Sequence, residues 1–383
     1  MRTLIKNALI YRTDEKRLVQ GAMLVCGEHI EAILNEPDAA ADLVLDAAGA
    51  ALIPGLVDAH THGRAGGDFN TADMPLMRKM ARSYALSGTT SLFPTLASAE
   101  LPDLLRACRD IKNLKTDSGG AAFLGVHLEG RYLNPKRRGA HAEHLLAAPN
   151  KDELSAIVDA GGLPMHISAA LELDTDGFAD AARDMGVTLG LAHTDADYKT
   201  AMAAHKRWGI SFTHLYNAMP PIHHRDGGAV LAAFDSGGYA ELICDGLHVC
   251  PEMVAMTYRN IGVDRLVLIT DSMAAAGSPD GEYDIAGSPA IVRGGIARTP
   301  DGALAGSTLS LLAAVENLAA FCAIPITDAL VCATANPAAE LGVSELVGEL
   351  RAGARADFLI GSIDEKNKKI SVDRVFVGGA EIK

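Results

Sequence analysis

Positive charge is what this chain is short of: 34 Lys and Arg face 48 Asp and Glu, a formal net charge of −14 at pH 7. Nucleic acid and anionic membrane surfaces favour an excess of basic residues, so both are disfavoured as partners. Long hydrophobic runs are also missing. No apolar stretch approaches the ~20 residues a membrane span requires. The opening "MRTLIKNALI" is too short, and too interrupted by Lys6 and Asn7, to read as a signal peptide. The six cysteines (Cys26, Cys108, Cys244, Cys250, Cys322 and Cys332) include no C-x-x-C pair. They read as reduced, buried thiols rather than a disulfide framework or a zinc knuckle. Tryptophan is single, and tandem repeats and low-complexity tracts are absent. Together these absences predict a soluble cytoplasmic protein.

What is present is apolar material in a regular rhythm. At 383 residues and 49% hydrophobic content, the chain can bury a large core. Its two ends share one character: "TLIKNALIYR" and "GAMLVCGEHIEAIL" near the start, and "ADFLIGSIDEKNKKISVDRVFVGGAEIK" at the finish, alternate apolar residues with turn signals. They predict a small β-sandwich domain built from both termini, over 1–52 and 346–383. Between them, short apolar runs ("TTSLFPTL", "AAFLGVHLE", "LPMHISAA", "VTLGLAH", "ISFTHL", "AELICDG" and "RLVLITD") alternate with helical segments such as "MPLMRKMARSYALSG" and "DTDGFADAARDMG". With the run before His60 there are eight strands, each near-continuously apolar, as in a parallel sheet covered on both faces. The expectation is an α/β chain with a (β/α)8 TIM-like barrel over 53–345. The rhythm alone leaves an open doubly wound sheet as the alternative. Residues 283–306, "YDIAGSPAIVRGGIARTPDGALAG", break the rhythm and read as a hairpin excursion.

Histidines and carboxylates recur where these strands end: His60 and His62 after the first, Glu129 after the third, His193 after the fifth, His214 after the sixth, Asp271 after the eighth. In a (β/α)8 barrel all these ends open on one mouth, where such folds build active sites. Each residue has a plainer reading. A lone His in an apolar strand is commonly a hydrogen-bonded core residue, Glu129 could cap a turn, and Asp271 a helix. Their shared register is what a purely structural account must explain piece by piece. Neutral imidazoles and carboxylates without thiolate suit Zn²⁺, Fe²⁺, Mn²⁺ or Co²⁺ in a hydrolytic site. An Asp left off the metal can move the proton that hydrolysis requires.

The stretches "IPGLVDAHTHG", "GVHLEGRYLNPKRRGAH", "LAHTDADY", "THLYNAMPPIHHRDGG", "ICDGLHV", "VLITDSMAAAG" and "ALAGSTLSL" occur in that order from about residue 50 to 320. In these the chain resembles the N-acetylglucosamine-6-phosphate deacetylases of the amidohydrolase superfamily. The resemblance implies that Glu129, His193 and His214 hold the principal ion, Zn or Fe by preference. It implies that His60 and His62, with Glu129 bridging, support a second ion in members that have one. Asp271 matches the catalytic acid/base, and His141 the histidine that polarises the acetamide carbonyl. Asn217, with Ala218 beside it, Arg225 and His248 match the groups that hold the sugar phosphate. Arg225 typically reaches across a homodimer interface. One departure stands out: Arg131 occupies the position where the family usually has proline after H-L-E-G. Two basic loops, "NPKRRGAH" and "PPIHHRDGG", offer an anionic substrate a local patch despite the net charge. The implied reaction is deacetylation of N-acetylglucosamine 6-phosphate. The alternatives are the galactosamine epimer, a cyclic amidase, against which the absence of a strand-end lysine counts, and a non-catalytic scaffold, which would be expected to lose these residues.

Overall fold

The computed structural model describes residues 1–37, 39–115, 119–285 and 287–383. Eight parallel strands form a nearly closed barrel: Leu56–Thr61, Thr89–Leu96, Val126–Glu129, Met165–Ala169, Thr188–Leu191, Ser211–Phe212, Ala240–Ile243 and Leu266–Ile269. All are buried along nearly their whole length, as their continuous apolar runs require. The eight strands expected from the sequence are these eight. No regular ladder joins the eighth strand to the first. The seam is closed instead by the Asp271 N–H, which donates to the His60 carbonyl (2.9 Å), by the bridge between Thr61 and Ser272, and by the Thr270 hydroxyl, which donates to Asp58 (2.6 Å).

Helices follow the strands and cover the barrel's outside, among them Met74–Leu86, Leu101–Leu114, Lys151–Gly161, Tyr198–Trp208 and Leu311–Cys322. Their starts are capped as the sequence signals: Asp73 accepts from the Leu76 N–H, Asn150 from those of Asp152 and Glu153, and Asp197 from that of Thr200. The segment "DTDGFADAARDMG" is helical only over Phe178–Asp184. The Asp174 carboxylate takes the N–H groups of Asp176, Phe178 and Ala179, which turns the chain tightly before the helix begins.

The terminal strands make a separate eight-stranded sheet. Arg2–Arg12 pairs with Arg17–Cys26, with Leu43–Asp46 and with Ala51–Pro54; the last of these pairs with Phe358–Asp364, in the register Ile53 to Leu359. It encloses a core of its own, in which Ile5, Ile10, Met23, Leu52, Phe358 and Phe376 are buried together. Gly55 alone separates this sheet's strand Ala51–Pro54 from the first barrel strand. The expected excursion is a three-stranded antiparallel sheet, Gly281–Ile285, Ser288–Arg293 and Ile296–Arg298, with Ala286 outside the described residues. Among the described residues, no helix is long and apolar enough to cross a membrane. All six cysteines are free thiols, with Cys108, Cys244 and Cys332 buried.

Candidate metal centre and active site

Glu129 is the last residue of the third barrel strand, and five imidazoles surround its carboxylate. Its two oxygens face different partners. Oε1 lies 2.7 Å from His214 Nε2 and 3.2 Å from His193 Nε2. Oε2 lies 3.0 Å from His62 Nε2, 3.5 Å from His60 Nε2 and 3.6 Å from His141 Nε2. Asp271 adds a second carboxylate, with Oδ1 3.3 Å from His62 Nε2 and 3.7 Å from His60 Nε2. The barrel thus brings together every residue singled out at its strand ends.

Backbone geometry helps to place them. His193, His214 and Asp271 have φ of 44°, 30° and 46°, a left-handed conformation that few residues other than glycine adopt. Each lies just past the last hydrogen-bonded residue of its strand, so the chain turns sharply there. No helix follows Asp271, so it is not a helix cap. Its backbone is pinned instead by the bond to the His60 carbonyl and by the Ser307 N–H, which donates to the Asp271 carbonyl at 2.8 Å.

The far nitrogens of the imidazoles decide which nitrogen is free to bind a ligand. His193 Nδ1–H donates to the Arg137 carbonyl (2.7 Å), and His60 Nδ1–H to Glu241 Oε2 (3.1 Å). In each ring this leaves the Nε2 lone pair turned toward Glu129, the arrangement typical of metal-ligating histidines. Glu241, fully buried in the seventh strand, also accepts from the His214 backbone N–H (3.1 Å). Sequence reasoning passed over it, although a carboxylate inside the apolar run "AELICDG" was the available signal.

The electrostatics call for a cation. Burial alone would raise the Glu129 carboxyl, but His60 and the hydrogen bonds from His141, His193 and His214 outweigh it and hold it well below its ordinary range. Burial would likewise raise Asp271, yet His62 and His60 hold it low. Burial would lower His60 and His62, but their carboxylate neighbours lift His60 well above its ordinary value and His62 to about 9. His193, where burial dominates, falls to about 4. Two buried anions are therefore balanced only by charging imidazoles whose Nε2 atoms lie within a few ångströms of one another. The donor set fits a divalent ion, which would replace those protons. Two ligand triads meet the geometry, Glu129 with His193 and His214, and Glu129 with His60 and His62.

A cavity of about 250 Å³ opens over this cluster, lined by His62, Glu129, His141, His193, His214 and Asp271. Asn217, Ala218 and His248 also line it, as do Ile285, Leu304 and Gly306 from the antiparallel excursion and the turn after it. His248 Nδ1–H donates to Asp245 (2.7 Å), and His141 Nδ1 meets the Ser98 hydroxyl at 2.9 Å. Arg225 does not reach this cavity; it is exposed on the 220–226 loop. Arg131 stays out of it too. Its backbone N–H donates to Ser98 Oγ (3.0 Å), and its guanidinium pairs with Glu153 at 3.3 Å. Lys136 and Arg137 are both tied to Asp195 (3.1 and 2.9 Å) rather than free for an anion.

Comparison with known proteins gives the family. The amidohydrolase family model matches residues 51–382. N-acetylglucosamine-6-phosphate deacetylase of Vibrio furnissii is 34% identical over 333 residues, covering 86% of this chain and 82% of that protein. N-acetylgalactosamine-6-phosphate deacetylase of Escherichia coli O157:H7 is 34% identical over 333 residues, 86% of each chain. The crystal structure of N-acetylglucosamine-6-phosphate deacetylase from Pasteurella multocida superposes with a TM-score of 0.90 at 28% identity, over 99% of both chains. A mutant of the Mycobacterium smegmatis N-acetyl-D-glucosamine-6-phosphate deacetylase, in complex with N-acetyl-D-glucosamine-6-phosphate, superposes at 0.86 and 30% identity, over 100% of this chain and 99% of that one. With its barrel, its strand-end histidines and a family match over most of its length, the chain belongs to the amidohydrolase family.

Proposed function

We propose that the chain is a metal-dependent deacetylase that hydrolyses the acetamide of N-acetyl-D-glucosamine 6-phosphate, giving glucosamine 6-phosphate and acetate in amino-sugar catabolism in the cytoplasm. The observation that carries the reading is Glu129, one carboxylate turning a different oxygen to each of two histidine groups with Asp271 beside them. Relatives named for this reaction extend over most of the chain. Glu129, His193 and His214 would hold the principal ion, and His60 and His62 with Glu129 a second. Such an ion, Zn²⁺ or Fe²⁺ by preference, would bring the pKa of a water it holds down toward neutrality and would polarise a carbonyl.

The chain's own groups do the rest. Asp271, held ionised by its histidine neighbours, takes a proton from water and returns it to the departing amine, which is too basic to leave unprotonated. His141, with Nδ1 on the Ser98 hydroxyl, presents Nε2 to the acetamide oxygen. Asn217, Ala218 and His248 hold the sugar phosphate from the cavity wall. Arg225, exposed on its own chain, completes the phosphate site of a partner subunit in a homodimer.

Acetate release from a panel of N-acetylated amino sugars, measured with elemental analysis, tests the reading. The expected result is turnover of the 6-phosphorylated glucosamine derivative that disappears on chelation and returns with metal. Full activity in a metal-free preparation would overturn it. Arg225→Ala is expected to raise KM for the phosphorylated sugar by about tenfold or more, as loss of a charge-assisted contact should, and to leave the unphosphorylated analogue little changed. Equal impairment of both substrates would make Arg225 structural. The galactosamine epimer is the second reading, favoured by a relative equally similar to this chain; the same panel separates the two.

A further inference from the structure

Below the candidate active site, toward the N-terminal ends of the strands, the barrel holds a second polar cluster that the proposed reaction does not use. His166 is the second residue of its strand, Glu241 the second of its own, and Glu340 the last of the short helix Ala335–Glu340. His166 and Glu241 are fully buried and Glu340 is 6% exposed, and each offers an atom within 4.8 Å of the other two.

The surrounding hydrogen bonds show which atoms are spoken for. The Thr188 hydroxyl donates to the Met165 carbonyl (3.3 Å), so it accepts from His166 Nδ1–H (2.9 Å), and His166 Nε2 keeps its lone pair. Glu241 uses Oε2 for His60 and for the His214 N–H, leaving Oε1. The Ser211 hydroxyl lies 3.5 Å from the Leu189 carbonyl and also faces the Glu340 carboxyl. Among the described residues, no hydrogen bond of ordinary geometry reaches His166 Nε2, Glu241 Oε1 or either Glu340 oxygen. Four buried nitrogen and oxygen atoms thus converge with only the Ser211 hydroxyl and a proton on Glu340 to serve them. An unpaired buried polar group is costly, so each one in a native fold calls for an explanation, a bound ion among them. Burial first, then the Glu241 charge, pushes the Glu340 carboxyl well above its ordinary range, so it holds a proton that a bound divalent ion would displace.

A route in exists. A cavity of about 450 Å³, with Thr188, Ser211, Tyr239 and Glu340 in its wall, reaches this end of the barrel. One imidazole and two carboxylates form a mixed nitrogen and oxygen set suited to borderline divalent ions. We propose that His166 Nε2, Glu241 Oε1 and the Glu340 carboxylate form a further metal site, for an ion of the Zn²⁺ or Mn²⁺ class, distinct from the site around Glu129. Through Glu241, which uses its other oxygen to orient His60, this ion braces the ligand shell above it. It makes no contact with substrate.

Two measurements test the site without relying on activity. Crystals of the whole protein grown with ZnCl₂ should show an anomalous peak at the zinc edge about 2.0–2.2 Å from His166 Nε2 and the carboxylate oxygens. A water there, or no peak while zinc fills the upper site, overturns the proposal. In solution, the double variant Glu129→Gln/His193→Asn, dialysed against ZnCl₂ and then buffer, should retain about one ion per chain by elemental analysis. Adding Glu340→Gln should remove it. No retained ion in the double variant, or a count unmoved by Glu340→Gln, refutes the site. If the triple variant does not fold, the crystal decides.

Discussion

At Asp271 the backbone, not a helix, fixes the carboxylate: its N–H is bonded across the barrel seam to His60, its carbonyl accepts from the Ser307 N–H, and its side chain faces His62. Asp271→Asn preserves the shape and those backbone bonds while removing the proton acceptor. It is expected to lower single-turnover acetate release by about 10²–10⁴-fold, the usual contribution of a positioned acid/base, with metal content and melting temperature unchanged. A variant that loses stability and keeps its rate would return Asp271 to a structural role. The six strand-end residues were legible because a barrel turns one sequence feature, a polar residue ending an apolar run, into one place. Glu340 was not, and Glu241, although marked as a carboxylate within an apolar run, was passed over. Nothing local in the sequence records that a glutamate on a late helix meets a histidine on the fourth strand beneath the mouth. Arg225 shows the opposite limit, since its motif was readable while its own chain leaves it outside the cavity.

At the level of elements, the turn after the third strand is tightly constrained. Gly130 has φ of 130°, and a Cβ built there would lie 2.4 Å from the Ser98 hydroxyl oxygen and 2.6 Å from the Ser98 nitrogen. Ser98 in turn holds both His141 and the Arg131 N–H. Gly130→Ala therefore moves Glu129, Ser98 and His141 together. It is expected to destabilise the fold by about 1–3 kcal/mol and to weaken metal retention more than that loss alone explains; denaturant melts paired with metal titration would show it. An alanine variant of native metal affinity would mean that the turn is not what positions Glu129. Arg131 follows with φ of 38°, an angle closed to proline. A relative with proline here must route this turn differently, which the sequence substitution alone did not reveal. The eight strands were readable from their apolar runs. The limits of the helix at Phe178–Asp184 were not, because Asp174, four residues ahead of it, accepts from the first two helical N–H groups, those of Phe178 and Ala179, and from that of Asp176.

For the whole molecule, residues of the terminal sheet such as Tyr11, Ile53 and Leu359 join the barrel core, and at Gly55 the chain passes from that sheet to the strand that carries His60 and His62. Phe358, buried and stacked on Phe376 with ring centroids 4.4 Å apart, anchors that sheet. Phe358→Ala is expected to cost about 3–5 kcal/mol, and to release metal in the same thermal transition that melts the sheet. Metal release well separated from sheet melting, followed by calorimetry and a chromogenic chelator, would show that the two cores are independent. The kinship of the two ends was legible in their shared alternation of apolar residues and turns, whereas their pairing was not, since register across so long a separation leaves no local trace. That pairing has a consequence in time. Residues 51–54 are made early, yet their partner at 358–361 is made only after the entire barrel. During vectorial synthesis the first barrel strand must wait beside an unpaired edge, so the nascent chain passes through a long interval in which a holding chaperone has something to shield.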